Sequence, residues 1–385
     1  MEKFRFIDLF AGIGGFHIAM SQLGGECVFA SEIDRFAIET YKANFGLDAS
    51  FNIREVPEED IPQHDVLCAG FPCQAFSKAG RQEGFEDTRG TLFFEILRIL
   101  KYHKPKYIVL ENVRNLVGHD KGRTWRVIHK NLVDLGYIIP EKPIIVSPHQ
   151  IGVPQLRERV FIPGIHRDFT LSKTLSICVP PAKRNQTSAQ LVIGSNGDVN
   201  SHITKAEDFV LQAWDDFLKG IKNKVIGFPV WAKEFKGEYD ISPLPKWKQD
   251  FIVRNRTLYA ENKKHIDTWL KRYNHLEGFT PTHTKFEWQA GTSITSVWDG
   301  IIQFRPSGIR VKRPSEFPAL VAMVHVPILG WEKRRITPRE AANLQSFPQN
   351  FIINATPQQA FKQFGNSVNV EVVKFVANQL FELKK

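Results

Sequence analysis

Apolar residues in the first part of the chain come in short runs separated by amphipathic stretches. Phe4 to Phe10 is a run of the kind that forms a buried strand, and it ends at the glycines Gly12, Gly14 and Gly15. Phe16 to Leu23 predicts a helix closed by Gly24 and Gly25, Cys27 to Ser31 a second strand, and Arg35 to Asn44 a helix stopped by Gly46. Asp65 to Ala69 and Tyr107 to Glu111 predict two more strands, with a helix between them from about Leu92 to Lys101. Strand alternates with helix, so the expected fold class is α/β, a doubly wound and mostly parallel sheet.

Past Arg167 the pattern changes. Seven of the eight tryptophans lie beyond it, which predicts a second hydrophobic core. Thr204-Lys205-Ala206-Glu207 reads as a capping box before the helical run Phe209 to Leu218, with Gly220 as its stop. Lys246 to Leu276 reads as one long amphipathic helix or two, with Trp247, Phe251, Leu258, Ile266, Trp269 and Tyr273 on roughly one face. The lysines and arginines on its other faces are either a solvated surface or a phosphate-contacting one. From Arg335 on, helical patterning returns, ending in the apolar-rich stretch Val368 to Leu383. The expected organisation is a first domain over 1–167, a smaller second one over 168–334, and a segment 335–385 that returns to the first.

Composition narrows the class. Over 385 residues, 42% hydrophobic and 24% charged positions describe a soluble globular protein, and no run approaches the roughly 20 apolar residues of a membrane span. The acidic N-terminus is not that of a signal peptide, so a cytoplasmic protein is expected. Lys and Arg number 51 against 41 Asp and Glu, and more than half of the +10 excess lies in 168–330, a balance that attracts polyanions. Cys27, Cys68, Cys73 and Cys178 are irregularly spaced without a C-x-x-C pair, which predicts neither a disulfide framework nor a metal site.

Three places carry candidate chemistry, each at a predicted strand end. The turn after Phe10 lets the backbone approach a ligand closely, and Glu32 at the end of the second strand can accept hydrogen bonds from ribose hydroxyls. Together they predict a nucleoside cofactor over the carboxyl ends of the strands. Cys73 sits in the glycine-rich loop after Asp65–Ala69, where a thiol meets a ligand on the cofactor side. Glu111 ends the strand from Tyr107. Each has a bland alternative: a ligand-free turn, an inert loop cysteine, a surface ion pair.

Taken together these residues resemble the cytosine-C5 DNA methyltransferase family. Phe10-Ala11-Gly12-Ile13-Gly14-Gly15 is similar to its S-adenosylmethionine motif, Gly70-Phe71-Pro72-Cys73-Gln74 to its nucleophile loop, and Glu111-Asn112-Val113 to its Glu-Asn-Val motif. Gln155-Leu156-Arg157-Glu158-Arg159 resembles the Gln-x-Arg-x-Arg motif, and Gly365-Asn366-Ser367-Val368 the final one. The five stand in the family's order along most of the chain.

The resemblance implies S-adenosylmethionine as cofactor, S-adenosylhomocysteine as product and no metal. It implies that Cys73 adds to C6 of a cytosine flipped out of double-stranded DNA, that Glu111 assists at N3, and that Arg157 and Arg159 steady the charge. It carries cofactor contacts onto Phe10, Gly12, Gly14, Glu32, Ile33, Asn52, Ile53, Gly70, Pro72, Leu92 and Asn366, and backbone contacts with DNA onto Ser77 and Arg89. Asn52 stands where the family usually has Asp, and Ile33 where it often has Trp. Residues 168–334 occupy the place of the target-recognition domain, where Arg305 and Arg310 are the candidate guanine readers. A monomer associated with the nucleoid is expected; a modification enzyme beside a separate restriction endonuclease and a solitary enzyme fit equally. A tRNA methyltransferase and a catalytically retired DNA-binding regulator remain as alternatives.

Overall fold

The apolar runs of the first part become strands whose carboxyl ends share one edge. The computed structural model describes residues 3–71, 92–181, 187–194, 201–223, 226–320 and 325–383, and the expected positions Pro72, Cys73, Ser77 and Arg89 lie outside these. The chain divides into two compact units, one of Met1–Gln186, Ala319–Met323 and Pro338–Lys385, the other of Thr187–Pro318 and Val324–Thr337.

In the first unit β1 (Phe4–Leu9), β2 (Gly25–Ser31), β3 (Val66–Gly70) and β4 (Tyr107–Val113) run parallel in the order β2-β1-β3-β4. Phe6, Ile7 and Leu9 are wholly buried, as a strand covered on both faces requires. The helices α1 (Gly15–Gln22), α2 (Arg35–Phe45) and α3 (Leu92–His103) fall where the pattern put them. The carboxylate of Asp34 caps α2 by accepting from the N–H groups of Phe36 and Ala37, and Gly46, at φ 65°, ends it. After α4 (Arg123–Asp134) come the short strands β5 (Tyr137–Ile138), β6 (Ile144–Val146) and β7 (Gln155–Leu156), then β8 (Arg159–His166). β8 lies antiparallel to β4, and β5 and β6 lie antiparallel to β8, so the parallel part of the sheet ends at β4. This register sets Arg159 opposite Val113, close to the functional end of β4.

The second unit holds α5 (Lys205–Gly220), β9 (Val230–Trp231), α6 (Lys246–Glu261), α7 (Lys263–Arg272), β10 (Lys285–Trp288), β11 (Ile301–Arg305) and β12 (Gly308–Lys312). Three two-residue strands follow, β13 (Phe317–Pro318), β14 (Ile328–Leu329) and β15 (Arg334–Arg335). Its sheet has the order β15-β14-β11-β12-β10-β9. Thr204 and Glu207 form the capping box of α5, which includes Gly220 as its last residue rather than stopping at it. The stretch from Lys246 is two helices, parted at Asn262, whose buried amide donates to the Leu258 carbonyl and accepts from the Lys222 N–H. The tryptophan-rich core is present: Trp214, Trp269 and Trp288 are buried, and Trp214 stacks on Phe286 at 4.8 Å. Trp247, placed on the apolar face by the pattern, is instead exposed, because α6 turns Ile252, Asn255 and Leu258 inward.

The chain then contributes α8 (Pro338–Leu344), α9 (Pro357–Asn366) and α10 (Val370–Glu382) to the first unit. α10 packs on α1 through a valine-rich face, and a Cβ on Gly15 would stand 2.7 Å from the Val368 side chain. No helix among the described residues is long and apolar enough to cross a membrane.

Candidate active site

The turn after β1 is built from left-handed residues: Phe10 at φ 58°, Gly12 at 56° and Gly14 at 86°. A Cβ on Gly14 would lie 2.2 Å from the Phe45 ring, so glycine is required there twice over, by backbone and by space. Phe10 has no such freedom, and a non-glycine residue held in this region stores strain of the kind found at ligand sites. The Ala11 N–H donates to the Ser31 carbonyl at 2.9 Å and ties the turn to the end of β2. Glu32 follows at once. Its Oε2 accepts from the Gly12 N–H at 2.8 Å, and its Oε1 from the N–H groups of Ile33 at 2.7 Å and Asp34 at 2.8 Å. The carboxylate is fixed over the strand ends before any ligand arrives.

Two adjoining hollows of the first unit open at this point. One, of about 260 Å³, is lined by Phe10, Gly12, Glu32, Ile33, Gly70, Leu92 and Asn366 among others. The second, of about 210 Å³, shares Phe10, Glu32, Ile33 and Leu92 and adds Asn52 and Ile53. Nine of the expected cofactor positions therefore meet; Gly14 shapes the turn without lining either hollow. Apolar walls from Phe10, Ile33 and Leu92 around a fixed carboxylate fit a nucleoside, the flat base against the walls and the ribose hydroxyls on Glu32. The amide of Asn52 donates to Glu55 at 2.6 Å, and its oxygen accepts from the Arg54 N–H at 3.3 Å. Lys362 and Gln363 of α9 also line the first hollow and went unnoticed in the sequence. Their signal was the polar face of the helix that leads into Gly365-Asn366-Ser367. Lys362 donates to Asp34 at 2.9 Å and Gln363 to the Phe36 carbonyl at 2.9 Å, so both also brace the start of α2.

Glu111, 9% exposed, stands where β4 leaves the sheet. Its neighbour across the ladder is Gly70, the last residue of β3, where a Cβ would lie 3.7 Å from Glu111 Oε2. Burial pushes the Glu111 carboxyl up from its ordinary value, while Arg159 and Arg157 pull it back down. Arg159 reaches it through Nε at 3.1 Å. Asn112 was part of a motif but had no assigned task; its buried amide donates to the Phe71 carbonyl at 2.7 Å and so fixes the point from which the chain departs toward Cys73.

Arg157 acts on Glu111 through its charge, but its hydrogen bonds go to main chain. Only 2% exposed, it donates through Nη1 to the Leu320 carbonyl and through Nη2 to the carbonyls of Gly365 and Ser367, each at 2.8 Å. Burial, with the charge of Arg159, lowers its value to about 9, and Glu111 opposes that. The guanidinium thus binds main chain on both sides of Asn366 rather than facing open space.

In the second unit the β11–β12 hairpin turns through Pro306-Ser307. Arg305 and Arg310, on its two strands, converge on one carboxylate, that of Glu287 in β10. Arg310 donates from Nε at 2.8 Å and from Nη2 at 3.0 Å, and Arg305 from Nη1 at 3.3 Å. Glu287 went unremarked in the sequence, although the alternation Lys285-Phe286-Glu287-Trp288 marks it as the outward residue of a half-buried strand.

The family model described as C-5 cytosine-specific DNA methylase matches residues 4–382. The Type II methyltransferase M.HpaII of Haemophilus parainfluenzae is 38% identical over an alignment covering 99% of this chain and 90% of its own. The Type II methyltransferase M.AluI of Cellulosimicrobium cellulans is 33% identical, covering 98% of this chain and 92% of its own. Among solved structures, a putative DNA modification methyltransferase encoded within a prophage (E. coli) has a TM-score of 0.57 at 22% identity, covering 98% of this chain and 99% of that one, a likeness of fold.

Proposed function

This chain belongs to the C-5 cytosine-specific DNA methylases, and from that premise we propose how it transfers a methyl group to C5 of a cytosine in double-stranded DNA. The observation that carries the reading is a shared border: Gly70 lines the nucleoside-shaped hollow and flanks Glu111, and the chain runs from it toward Cys73. Phe10, Glu32, Ile33, Asn52, Leu92 and Asn366 would hold S-adenosylmethionine, which would supply a methyl group on an electrophilic sulfonium.

The rest is the work of the protein's own side chains. The Cys73 thiolate forms a bond to C6 of the flipped cytosine, which makes C5 enamine-like and nucleophilic. Glu111, whose burial favours its protonated form, gives a proton toward N3 as negative charge builds on the ring. Arg159 holds that carboxyl in place from one side. Arg157 is a positioning residue that fixes the Gly365–Ser367 backbone and with it Asn366. Once C5 has taken the methyl group, a base removes the C5 proton, the C5–C6 double bond re-forms as the C6–S bond breaks, the Cys73 thiolate leaves and N3 returns its proton to Glu111. Ser77 and Arg89 meet the DNA backbone, and the second unit, with Arg305 and Arg310, reads the sequence around the target.

The test is methyl transfer from labelled S-adenosylmethionine to unmethylated genomic DNA and, separately, to bulk tRNA, with bisulfite sequencing of the DNA. Label in DNA at one recurring cytosine context is expected, and Cys73→Ser should abolish it while cofactor binding persists. Label confined to tRNA would refute the substrate, and a fully active Cys73→Ser variant would refute the mechanism.

A further inference from the structure

The sheet of the second unit has two unlike faces. Phe286, Trp288, Ile302, Ile309 and Val311 point from β10, β11 and β12 into its core. Their neighbours point the other way, and the register lines up Gln303, Arg310 and Glu287 across three adjacent strands. Charge on this face is unbalanced. Arg305 and Arg310 both reach Glu287, Lys312 stands in the field of Glu316 and Glu287, all three cations are partly buried, and burial together with the charge of Arg310 lowers both Arg305 and Lys312 from their ordinary values. Like charges crowded at a half-desolvated site are unfavourable on their own account, and an anionic ligand relieves them.

The geometry says more than that an anion binds. Glu287 engages the Nε–Nη2 edge of Arg310 as a fork, and the Gln289 amide braces the same carboxylate at 2.5 Å. The guanidinium plane is therefore fixed, while the Arg310 side chain keeps 22% of its surface exposed. β12 itself is pinned at its start: Gly308 adopts φ 127°, and a Cβ there would lie 2.7 Å from the Cβ of Lys285. A phosphate accepts a mobile cation from many directions, whereas the O6/N7 edge of guanine needs a guanidinium held in one plane.

We propose that Glu287 is a specificity-determining residue, acting through Arg310 and Arg305 to make the polar face of β10, β12 and β11 a reader of guanine in the methylated sequence. The inference rests on the DNA-methylating reading above and adds to it the residue that sets the recognised base.

The experiment compares wild type, Glu287→Gln and Arg310→Lys on a plasmid library randomised around cytosine, read by bisulfite sequencing. Melting temperature and S-adenosylmethionine affinity are measured beside it. Wild type should methylate one context. Glu287→Gln should keep its melting temperature and cofactor affinity while its preference for guanine at one position falls roughly 5- to 150-fold, the scale of one bidentate base contact. Arg310→Lys should lose preference at that same position. An unchanged context in Glu287→Gln, or relaxation at a position different from that of Arg310→Lys, overturns the inference while leaving methylation of DNA intact. If Glu287→Gln melts early, Glu287→Asp, which keeps the charge but withdraws the carboxylate from Arg310, takes its place, and an unaltered context in that variant overturns the proposal. A wild type that labels no DNA overturns the functional reading and this inference together.

Discussion

Arg157 offers the sharpest separation between holding the protein together and meeting the substrate. Arg157→Met keeps most of the side-chain volume and removes the guanidinium, leaving the carbonyls of Leu320, Gly365 and Ser367 without the donors that stand 2.8 Å from each. An unpartnered buried polar group costs about 1–3 kcal/mol, so three carbonyls bring roughly 3–9 kcal/mol of destabilisation. Against this, a buried cation beside Arg159 is itself unfavourable, and its removal offsets part of the loss. A net loss of about 3–5 kcal/mol is the result, a large share of the ~5–15 kcal/mol by which a domain is stable. Arg157→Lys keeps the charge but cannot present a fork to carbonyls on both sides of Asn366, and should lose about 2 kcal/mol. Urea unfolding measures both. Isothermal titration with S-adenosylmethionine should show weakened binding in step, because Asn366 and Ser367 line the hollow that Arg157 secures. An Arg157→Met protein with unaltered urea midpoint and cofactor affinity, yet no methyl transfer, would refute this reasoning and put the guanidinium on the substrate.

Glu111→Gln should lower kcat by about 10²–10⁴-fold, the usual scale for a lost general acid, with cofactor affinity retained in calorimetry. The same variant makes a pH prediction. Because burial raises the Glu111 carboxyl in the folded protein, its contribution to stability is full below its ordinary value of 4.5 and declines as pH rises beyond it. The melting temperature of Glu111→Gln relative to wild type should therefore climb as pH rises above the ordinary carboxyl value of 4.5; a flat difference would contradict it. Gly14→Ala forces a methyl group against the Phe45 ring at a left-handed position, and should cost more than the ~1 kcal/mol of backbone strain alone, read as a shift in urea midpoint.

The elements of the first unit were readable because each carries a local signal. Asp34 and Gly46 bracket α2 by capping chemistry alone, and the apolar run of β1 has no other stable use than a buried strand. What escaped was whatever depends on pairing between distant segments. No property of Arg159-Val160-Phe161 says that this strand would run antiparallel to β4 and deliver Arg159 to Glu111. Arg157 carries the same lesson in reverse: its motif suggested chemistry, but its partners are main-chain carbonyls about 160 and 210 residues away, which no spacing rule encodes. Glu287 was hidden for a third reason, since a single acid in a short strand acquires meaning only when register brings two arginines to it.

The first unit is written in pieces, with its sheet complete by His166 and α10 supplied only after Pro338. During synthesis the face of α1 that receives Val368 waits while about 200 residues are added after His166, roughly 10–40 s at ribosomal speed. Through that interval the nascent chain lacks the segment that packs against this face. It already carries the Gly12 turn and Glu32, yet it lacks Asn366 and Lys362, so the wall that closes the cofactor hollow does not exist. A polypeptide interrupted within that interval is thus without a completed cofactor site. The order of translation completes this hollow only in molecules that have both ends of the first unit in place.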